Sequence, residues 1–224
     1  MDFDYIIVGG GSAGCVMANR LSVDPSRNVL LVEAGIDTPP GSVPPDILNS
    51  YHLSQANPAL KWSNFRAYHQ PLPHNAPDRP ELQYYDQGKV MGGGSSINYQ
   101  AANRGTPDDY NEWDEMGATG WDWDNVLQYF RKLERDEQFD GDFHGRSGPL
   151  PIRRVFREDW SGFSKATADS FASMGLDYFE DQNGGFEDGY FPMTVNNSND
   201  QRVSAAIAYL NEEVRARKNL KILS

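Results

Sequence analysis

The chain opens with a strand, a glycine-rich turn and a helix in direct succession, and this pattern constrains the fold more than any other feature. Residues 5–8 (YIIV) form a short apolar run that is typical of a buried parallel strand. Residues 9–14 (GGGSAG) match G-x-G-x-x-G, and residues 12–22 carry apolar side chains at helical spacing. A second apolar strand is predicted at 28–33. The sequence therefore predicts a βαβ unit of a Rossmann-like α/β fold.

Three glycines of this turn each meet a mechanical need of dinucleotide binding. Gly9 allows the chain to turn sharply off the strand, Gly11 lets a pyrophosphate approach the backbone, and Gly14 lets the helix pack closely on the sheet. The helix then presents free N–H groups and a partial positive charge to the phosphates. The alternative is a glycine-rich turn that binds no ligand.

An acidic residue follows at the end of the second strand. Glu33 lies 19 residues beyond Gly14, the position from which a carboxylate accepts hydrogen bonds from the adenosine ribose hydroxyls. A carboxylate there repels a 2′-phosphate, so the sequence disfavours NADP, whereas both NAD and FAD fit the motif. The candidate dinucleotide-binding residues of this unit are Gly9, Gly11, Ser12, Ala13, Gly14, Glu33 and Ala34.

A second glycine cluster lies in residues 88–98 (GKVMGGGSSIN). Consecutive glycines let the backbone lie against a flat ring system, with N–H groups turned toward a phosphate or a carbonyl. This run resembles the first signature of the glucose–methanol–choline (GMC) oxidoreductases. Further blocks that resemble this family stand at 103–105 (NRG), 109–113 (DYNEW), 117–121 (GATGW), 144–150 (HGRSGPL), 202–206 (RVSAA) and 208–210 (AYL). The resemblance covers essentially the whole chain.

The resemblance implies an FAD enzyme that oxidises an alcohol to an aldehyde by hydride transfer to flavin N5, with oxygen or another electron acceptor. Some choline-oxidising relatives tether the flavin through a histidine where this chain has Ile97, so we expect non-covalent FAD. Trp62 is a candidate flavin neighbour, with packing as the alternative. The other cofactor-binding residues that the resemblance implies are Val90, Gly92, Gly93, Gly94, Asn98, Tyr99, Gln100 and Ala101.

Three segments resemble bacterial oxidases of aromatic and furanic primary alcohols more closely: 33–39 (EAGIDTP), 121–123 (WDW) and 188–192 (DGYFP). Pyridoxine oxidases of the same branch are a near alternative. The substrate we expect is therefore an aromatic or furanic primary alcohol. The sequence leaves the exact alcohol open, and it leaves open whether the enzyme is an oxidase or a dehydrogenase.

The predicted organisation is an FAD-binding domain at 1–150, containing a long cofactor-covering excursion and flavin loop at 36–100. Part of an α+β substrate domain is predicted at 151–200, and a return to the FAD domain at 201–224. Periodicity predicts helices at 125–137, 161–174 and 204–217, and a strand at 220–223.

The chain is expected to be truncated, because it stops directly after that strand. The resemblance places the catalytic histidine pair beyond Ser224, so we expect no catalytic base in this chain and possible pairing with a complementary C-terminal chain. We also expect the sheet to expose one apolar face. Two alternatives remain: a non-catalytic fragment, and an NAD-dependent dehydrogenase that uses only the first motif.

Composition excludes some partners. The chain carries 20 Lys+Arg against 32 Asp+Glu, a net charge of −12, which argues against a nucleic-acid partner. Its apolar runs fall short of the ~20 residues that a membrane span needs. The single Cys15 and the lack of a signal-peptide pattern at the N-terminus predict a cytoplasmic protein.

We expect no metal site, since no histidine has a Cys or His partner at metal-ligand spacing. The histidines are expected to be solvated loop residues, as is the acidic run at 136–142. They are His52, His69, His74 and His144.

Overall fold

A computed structural model describes residues 2–51, 53–69, 75 and 80–224. The chain divides into two compact units, which are described separately. The first unit comprises the residues up to Tyr99 together with Ser204–Ser224, and the second comprises Gln100–Val203. These boundaries differ from the predicted ones at 150 and 200. The functions assigned to the segments stay predictions.

The helices and strands, in chain order, are β1 (Tyr5–Val8), α1 (Ser12–Leu21), β2 (Val29–Val32), α2 (Pro45–Leu48), α3 (Leu53–Ala56), β3 (Arg66–Ala67), β4 (Gln83–Tyr84), α4 (Pro107–Glu115), α5 (Trp123–Leu133), β5 (Glu134–Asp136), β6 (Leu150–Arg154), α6 (Gly162–Ser173), β7 (Thr194–Val195), β8 (Asn197–Ser198), β9 (Gln201–Arg202), α7 (Ala205–Tyr209), α8 (Glu212–Arg215) and β10 (Leu220–Leu223). Single 3₁₀ turns form at Pro58–Leu60, Gly93–Ser96 and Arg157–Asp159.

The first unit is built on a three-stranded parallel sheet in the order β1-β2-β10. Tyr5 and Leu220 both pair with Val29, one on each side of β2. Helix α1 packs on β1, β2 and α7, and its fully buried Cys15 and Ala18 allow this close approach because their side chains are small. The predicted βαβ unit and the predicted strand at 220–223 are confirmed.

The sheet has one buried and one exposed face. Because side chains alternate along a strand, Ile7 is buried, whereas Ile6 and Val8 are 62% and 86% exposed. Leu223 of β10 is also exposed. The expected bare apolar face is therefore confirmed.

The second unit combines a small mixed sheet with three helices. Strand β5 pairs in parallel with β6, β6 pairs antiparallel with β7, and β8 and β9 form a hairpin. Helix α4 starts in a capping box between Thr106 and Asp109 and packs against α5 through aromatic rings. Those rings include Tyr110, Trp123 and Phe130.

Two predicted helices differ from the observed ones. The helix predicted at 125–137 ends at Leu133, because the next three residues pair with β6 as a strand. The helix predicted at 204–217 is interrupted after Tyr209. There the Asn211 side chain accepts a hydrogen bond from Val214 N at 3.0 Å, which starts α8 afresh.

In the described part of the chain, none of the helices combines the length and the hydrophobicity that a membrane crossing requires.

Candidate cofactor-binding site

The two glycine segments lie against each other in the first unit. The amide of Gly92 donates a 2.6 Å hydrogen bond to the carbonyl oxygen of Gly10. A Cβ placed on Gly93 would lie 2.8 Å from Cα of Gly11, and Gly93 has φ 54°, which side chains disfavour. This contact therefore requires glycine at position 93. The two predicted glycine turns lie side by side.

The N-terminus of α1 carries free backbone donors at this place. Gly11 is the N-cap residue and offers no side chain, and the first bond of the helix runs from Cys15 N to Gly11 O at 3.0 Å. The amides of Ser12, Ala13 and Gly14 therefore remain outside the helical ladder. A Cβ on Gly11 would meet no described atom within 4 Å, so open space adjoins these donors. This arrangement fits a pyrophosphate.

Glu33 ties the ends of the two strands together. Its Oε2 accepts a 2.7 Å hydrogen bond from Gly10 N, and its Oε1 accepts a 2.8 Å hydrogen bond from Gly35 N. A carboxylate has about four lone-pair sites, so each oxygen can accept one more donor. The half-buried carboxylate is thus held in place and still able to accept ribose hydroxyls.

The second glycine segment is fastened to the end of β2 and to α7. Ile36 and Val90 form a parallel bridge, and Met91 N donates to Ile36 O at 2.9 Å. Ser95 Oγ donates to Gly92 O at 2.6 Å and accepts from Ala205 N at 2.9 Å. These hydrogen bonds fix the second glycine segment to the end of β2 and to α7.

Several of the predicted cofactor-binding residues are exposed to solvent at the C-terminal end of the second glycine segment. Gly94, Asn98 and Tyr99 are exposed, and a Cβ on Gly94 would meet no described atom within 4 Å. Trp62 is 38% exposed, its amide donates to Gln87 O at 3.0 Å, and the ammonium of Lys89 lies 5.0 Å from its ring centroid. The structure therefore brings Trp62 beside the start of the second segment.

Gln100 and Ala101 belong to the second unit, unlike the other predicted residues. Gln100 is buried with φ 63°, and its carbonyl oxygen accepts a 3.0 Å hydrogen bond from Asn196 N. Ala101 forms an antiparallel bridge with Val195. Both residues are thus fixed by the strand β7 and the residue after it.

Sequence reasoning missed a buried ion network in the second unit. His144 Nδ1 donates to Glu134 Oε1 and Asp136 Oδ2, both at 3.2 Å, and Nε2 donates to Asp181 Oδ2 at 2.8 Å. Arg104 pairs with Glu134 at 2.6 Å and Arg154 with Asp181 at 2.6 Å. Arg154 also pairs with Asp136. Three carboxylates therefore face two guanidinium groups and one imidazole.

The ion network favours the protonated, positively charged form of His144. Burial alone would lower the pKa of His144, but hydrogen bonds to Asp136, Asp181 and Glu134 outweigh it and raise this pKa to about 10. Burial would raise the pKa of Asp136, yet His144 and Arg154 bring it well below the usual value. The network is neutral when His144 is an imidazolium.

Two expectations about this region were wrong. His144 is only 6% exposed and Asp136 only 1%, so neither is solvated. The rest of the run 137–142 is exposed or half-buried, and His69 is exposed, as expected. His52 and His74 lie outside the described residues. The sequence carries no local sign of this burial, because the acids and arginines around His144 come from separate segments.

The same cluster is the described place where a metal would find ligands. One ligand atom each from Glu134, Asp136 and His144 lies within 4.8 Å of the others. The carboxylates of the network are already balanced by two arginine side chains and the His144 imidazolium. We therefore interpret the cluster as an internal ion network, and the expectation of no metal site stays a prediction.

Comparison with known proteins agrees with this geometry. Residues 3–224 match the family described as GMC oxidoreductase. The chain is 46% identical over 228 residues to 5-(hydroxymethyl)furfural oxidase of Methylovorus sp. (strain MP688), covering 98% of this chain and 42% of that protein. The solved structure of pyridoxine 4-oxidase from Mesorbium loti matches with a TM-score of 0.84 at 35% identity, covering 99% of this chain and 42% of that one.

A further solved structure is an FAD-dependent oxidoreductase from Chaetomium thermophilum, with a TM-score of 0.83 and 27% identity, covering 99% of this chain and 38% of that one. The chain belongs to the GMC oxidoreductase family, and its fold is Rossmann-like α/β. The predicted family and fold class are confirmed. The chain spans about two fifths of the length of the curated relatives it matches.

Proposed function

We propose that this chain is the FAD-binding part of an enzyme that oxidises a primary alcohol to the aldehyde. The observation that carries the proposal is the backbone contact between Gly92 and Gly10, beside the free amides at the start of α1. When bound, FAD supplies the hydride acceptor at flavin N5.

The residues of the first unit divide the work of holding the nucleotide. The amides of Ser12, Ala13 and Gly14 donate to the pyrophosphate, and Glu33 accepts from the ribose hydroxyls. The second segment lies along the cofactor through Val90, Gly92, Gly93, Gly94, Asn98 and Tyr99, with Trp62 beside it. Gln100, Ala101 and Ala34 complete the proposed set on the strength of the family resemblance.

FAD is held without a covalent bond in this proposal. Ile97 has no nucleophile, and its side chain is buried in an apolar cluster with Ile47, Leu60 and Val90. The side chain at this position therefore contributes to the core of the first unit.

The substrate we propose is an aromatic or furanic primary alcohol, with oxygen or another acceptor taking up the electrons. The similarity to a 5-(hydroxymethyl)furfural oxidase supports this substrate class. The catalytic base is proposed to come from a complementary C-terminal portion. The apolar face at Ile6 and Val8 supports such a partner, because exposed apolar surface of this kind is usually covered.

FAD binding is tested by titrating the full chain with FAD and following flavin fluorescence. Gly11→Ala places a methyl group in the space beside the helix N-terminus and should weaken FAD binding at least tenfold. Gly162→Ala is the matched control, because a Cβ there also meets no described atom within 4 Å. NAD is titrated in parallel. Binding of NAD in place of FAD, or equal effects of both substitutions, would refute the proposal.

The reaction is tested in a chimera that joins this chain to the remaining part of the Methylovorus oxidase. Flavin bleaching on anaerobic addition of 5-(hydroxymethyl)furfural or benzyl alcohol is the expected result. A chimera that binds FAD but is not reduced by either alcohol would contradict the substrate class while leaving the cofactor assignment intact.

A further inference from the structure

The backbone of Gln100–Arg104 is held at both ends by other parts of the second unit. Gln100 has φ 63°, an unfavourable conformation for a residue with a side chain. Its carbonyl oxygen accepts from Asn196 N at 3.0 Å, and Ala102 N donates to Thr194 O at 2.9 Å. Strand β7 and the residue after it therefore hold one side of this segment.

The other side is held by the buried amide of Asn183. Its Nδ2 donates to Ala102 O at 2.8 Å, and its Oδ1 accepts from Arg104 N at 3.1 Å. Asn183 N in turn donates to Oδ1 of Asp181 at 3.2 Å. The position of the amide therefore depends on the carboxylate of Asp181.

His144 connects the Asn183 clamp with the Arg104 end of this segment. Its Nε2 binds Asp181, which positions Asn183, and its Nδ1 binds Glu134, which pairs with Arg104. The Arg104 guanidinium also donates to Phe143 O at 2.7 Å, in the residue before His144. One protonated imidazole thus links the side-chain clamp and the charged end of the segment.

We propose that His144, as an imidazolium, is a positioning residue that fixes the backbone of Gln100–Arg104 from a distance. Its link to the cofactor rests on the proposed function, because the family resemblance assigns flavin contacts to Gln100 and Ala101. The charged groups that face it are Glu134 and Asp136 on β5, Arg154 on β6, Asp181 after α6 and Arg104 on the segment itself.

The inference follows from charge balance. Without the proton on His144, three buried carboxylates face two guanidinium groups. The neutral ring keeps one N–H, so either Asp181 at Nε2 or Glu134 at Nδ1 loses its donor. When Nε2 is the nitrogen that loses its proton, Asp181 keeps only Arg154 and the amide of Asn183 as partners, and the clamp on Ala102 and Arg104 loosens with it. Gln100 can then leave its unfavourable φ. The backbone of Gln100–Arg104 thus changes conformation although none of its own side chains has been altered.

Hydrogen exchange of the ligand-free full chain tests this independently of FAD. In His144→Gln at pH 7, the amides of Ala102 and Arg104 should exchange at least tenfold faster than in the parent, after correction by the amides of α1. In the parent, the same protection should fall as pH rises toward 10, whereas His144→Gln should show no such step. Unchanged protection at these amides would overturn the proposal.

Ser161→Ala is the control for a general loss of stability. It removes the N-cap hydroxyl of α6, which accepts a hydrogen bond from Ser164 N at 3.1 Å and lies away from the network. Equal acceleration at Ala102 and Arg104 in Ser161→Ala and His144→Gln would show a merely structural role and overturn the proposal. His69→Gln, at an exposed histidine, should leave the amides unchanged.

Asp181→Asn keeps the test decisive where His144→Gln does not fold. Removing one facing carboxylate should shift the pH midpoint of the protection step, and of the His144 NMR titration, to lower pH. An unshifted midpoint would overturn the proposal. FAD affinity, measured on the same proteins, should fall with the protection. If the parent chain does not bind FAD, the proposed function fails while the exchange result still decides the role of His144.

Discussion

The Gly92 amide donates its hydrogen bond to the Gly10 carbonyl oxygen at 2.6 Å, joining two turns that are far apart in the sequence. The close packing of Gly93 on Gly11 accompanies this bond. The candidate site is therefore formed in large part by backbone, and substitutions that add a single methyl group are informative about it.

Gly93→Ala should destabilise the first unit by about 2 kcal/mol or more, since it combines a positive φ with an overlap against backbone. Gly94→Ala is the matched control, because its φ is not in the left-handed region and its Cβ would meet open space. Urea denaturation of both variants is the measurement. Equal midpoints for the two would show that the turns do not pack as described.

Glu33→Gln should weaken both the fold and nucleotide binding. The amide can accept through only one oxygen, so either Gly10 N or Gly35 N loses its acceptor, at a cost of about 1–3 kcal/mol. FAD affinity should fall roughly tenfold with the loss of a charge-assisted bond. Glu187→Gln, at an exposed position in the second unit, is the control. A variant with normal stability but weak FAD binding would mean that Glu33 contacts the ligand but does not stabilise the fold.

The stability of the second unit should depend on pH in a defined way. His144 has a folded pKa raised from 6.5 to about 10, so its contribution is complete below pH 6.5 and is lost as pH rises through 10. Asp136 has a lowered folded pKa, so its contribution is complete above pH 3.8 and is lost as pH falls. Denaturation between pH 3 and 10 should thus give a plateau at mildly acidic pH.

His144→Gln should remove the alkaline decline and lower stability on the plateau by about 3–5 kcal/mol, because buried carboxylates lose their partner. An alkaline decline of the same size in the variant would assign it to another group.

Val8→Thr should reduce self-association while changing the free energy of unfolding by no more than about 0.5 kcal/mol, because Val8 is 86% exposed on the bare sheet face. Light scattering against concentration measures the first effect and urea denaturation the second. Ile7→Thr, on the buried face of the same strand, should instead lower stability. Loss of stability in Val8→Thr would mean that this face is covered.

Acid precipitation should release all flavin from the FAD-loaded chain, because Ile97 is an apolar core residue without a nucleophile. Absorbance of the supernatant and pellet gives the measurement. Flavin retained in the washed pellet would contradict non-covalent binding and direct attention to another side chain.

Local features of the sequence were sufficient for the βαβ unit, because an apolar run, a glycine turn and a helical stripe each act within a few residues. Glu33 was singled out as a candidate ribose-binding carboxylate from its spacing after Gly14, and that role stays a prediction. The break at Asn211 was missed because the apolar period continues through it, while the cap that stops the helix depends on one side chain.

The network around His144 was beyond sequence reasoning for a different reason. Its members come from separate segments of the second unit, and acids near a loop histidine are usually solvated. Only the fold brings Asp181 to the imidazole and Arg154 to Asp181. Burial then places His144 and Asp136 in the interior, whereas their residue types suggest side chains exposed to solvent.

Strand β10 completes the parallel sheet, although all of residues 100–203 stand between it and the earlier part of the first unit. During translation the open edge of β2 must wait until residues 33–219 have been synthesised, a delay of roughly 10–40 seconds at ordinary elongation rates. A nascent chain in that interval offers an unpaired apolar edge to its neighbours. Yield in the cell should therefore respond to chaperone supply and growth temperature.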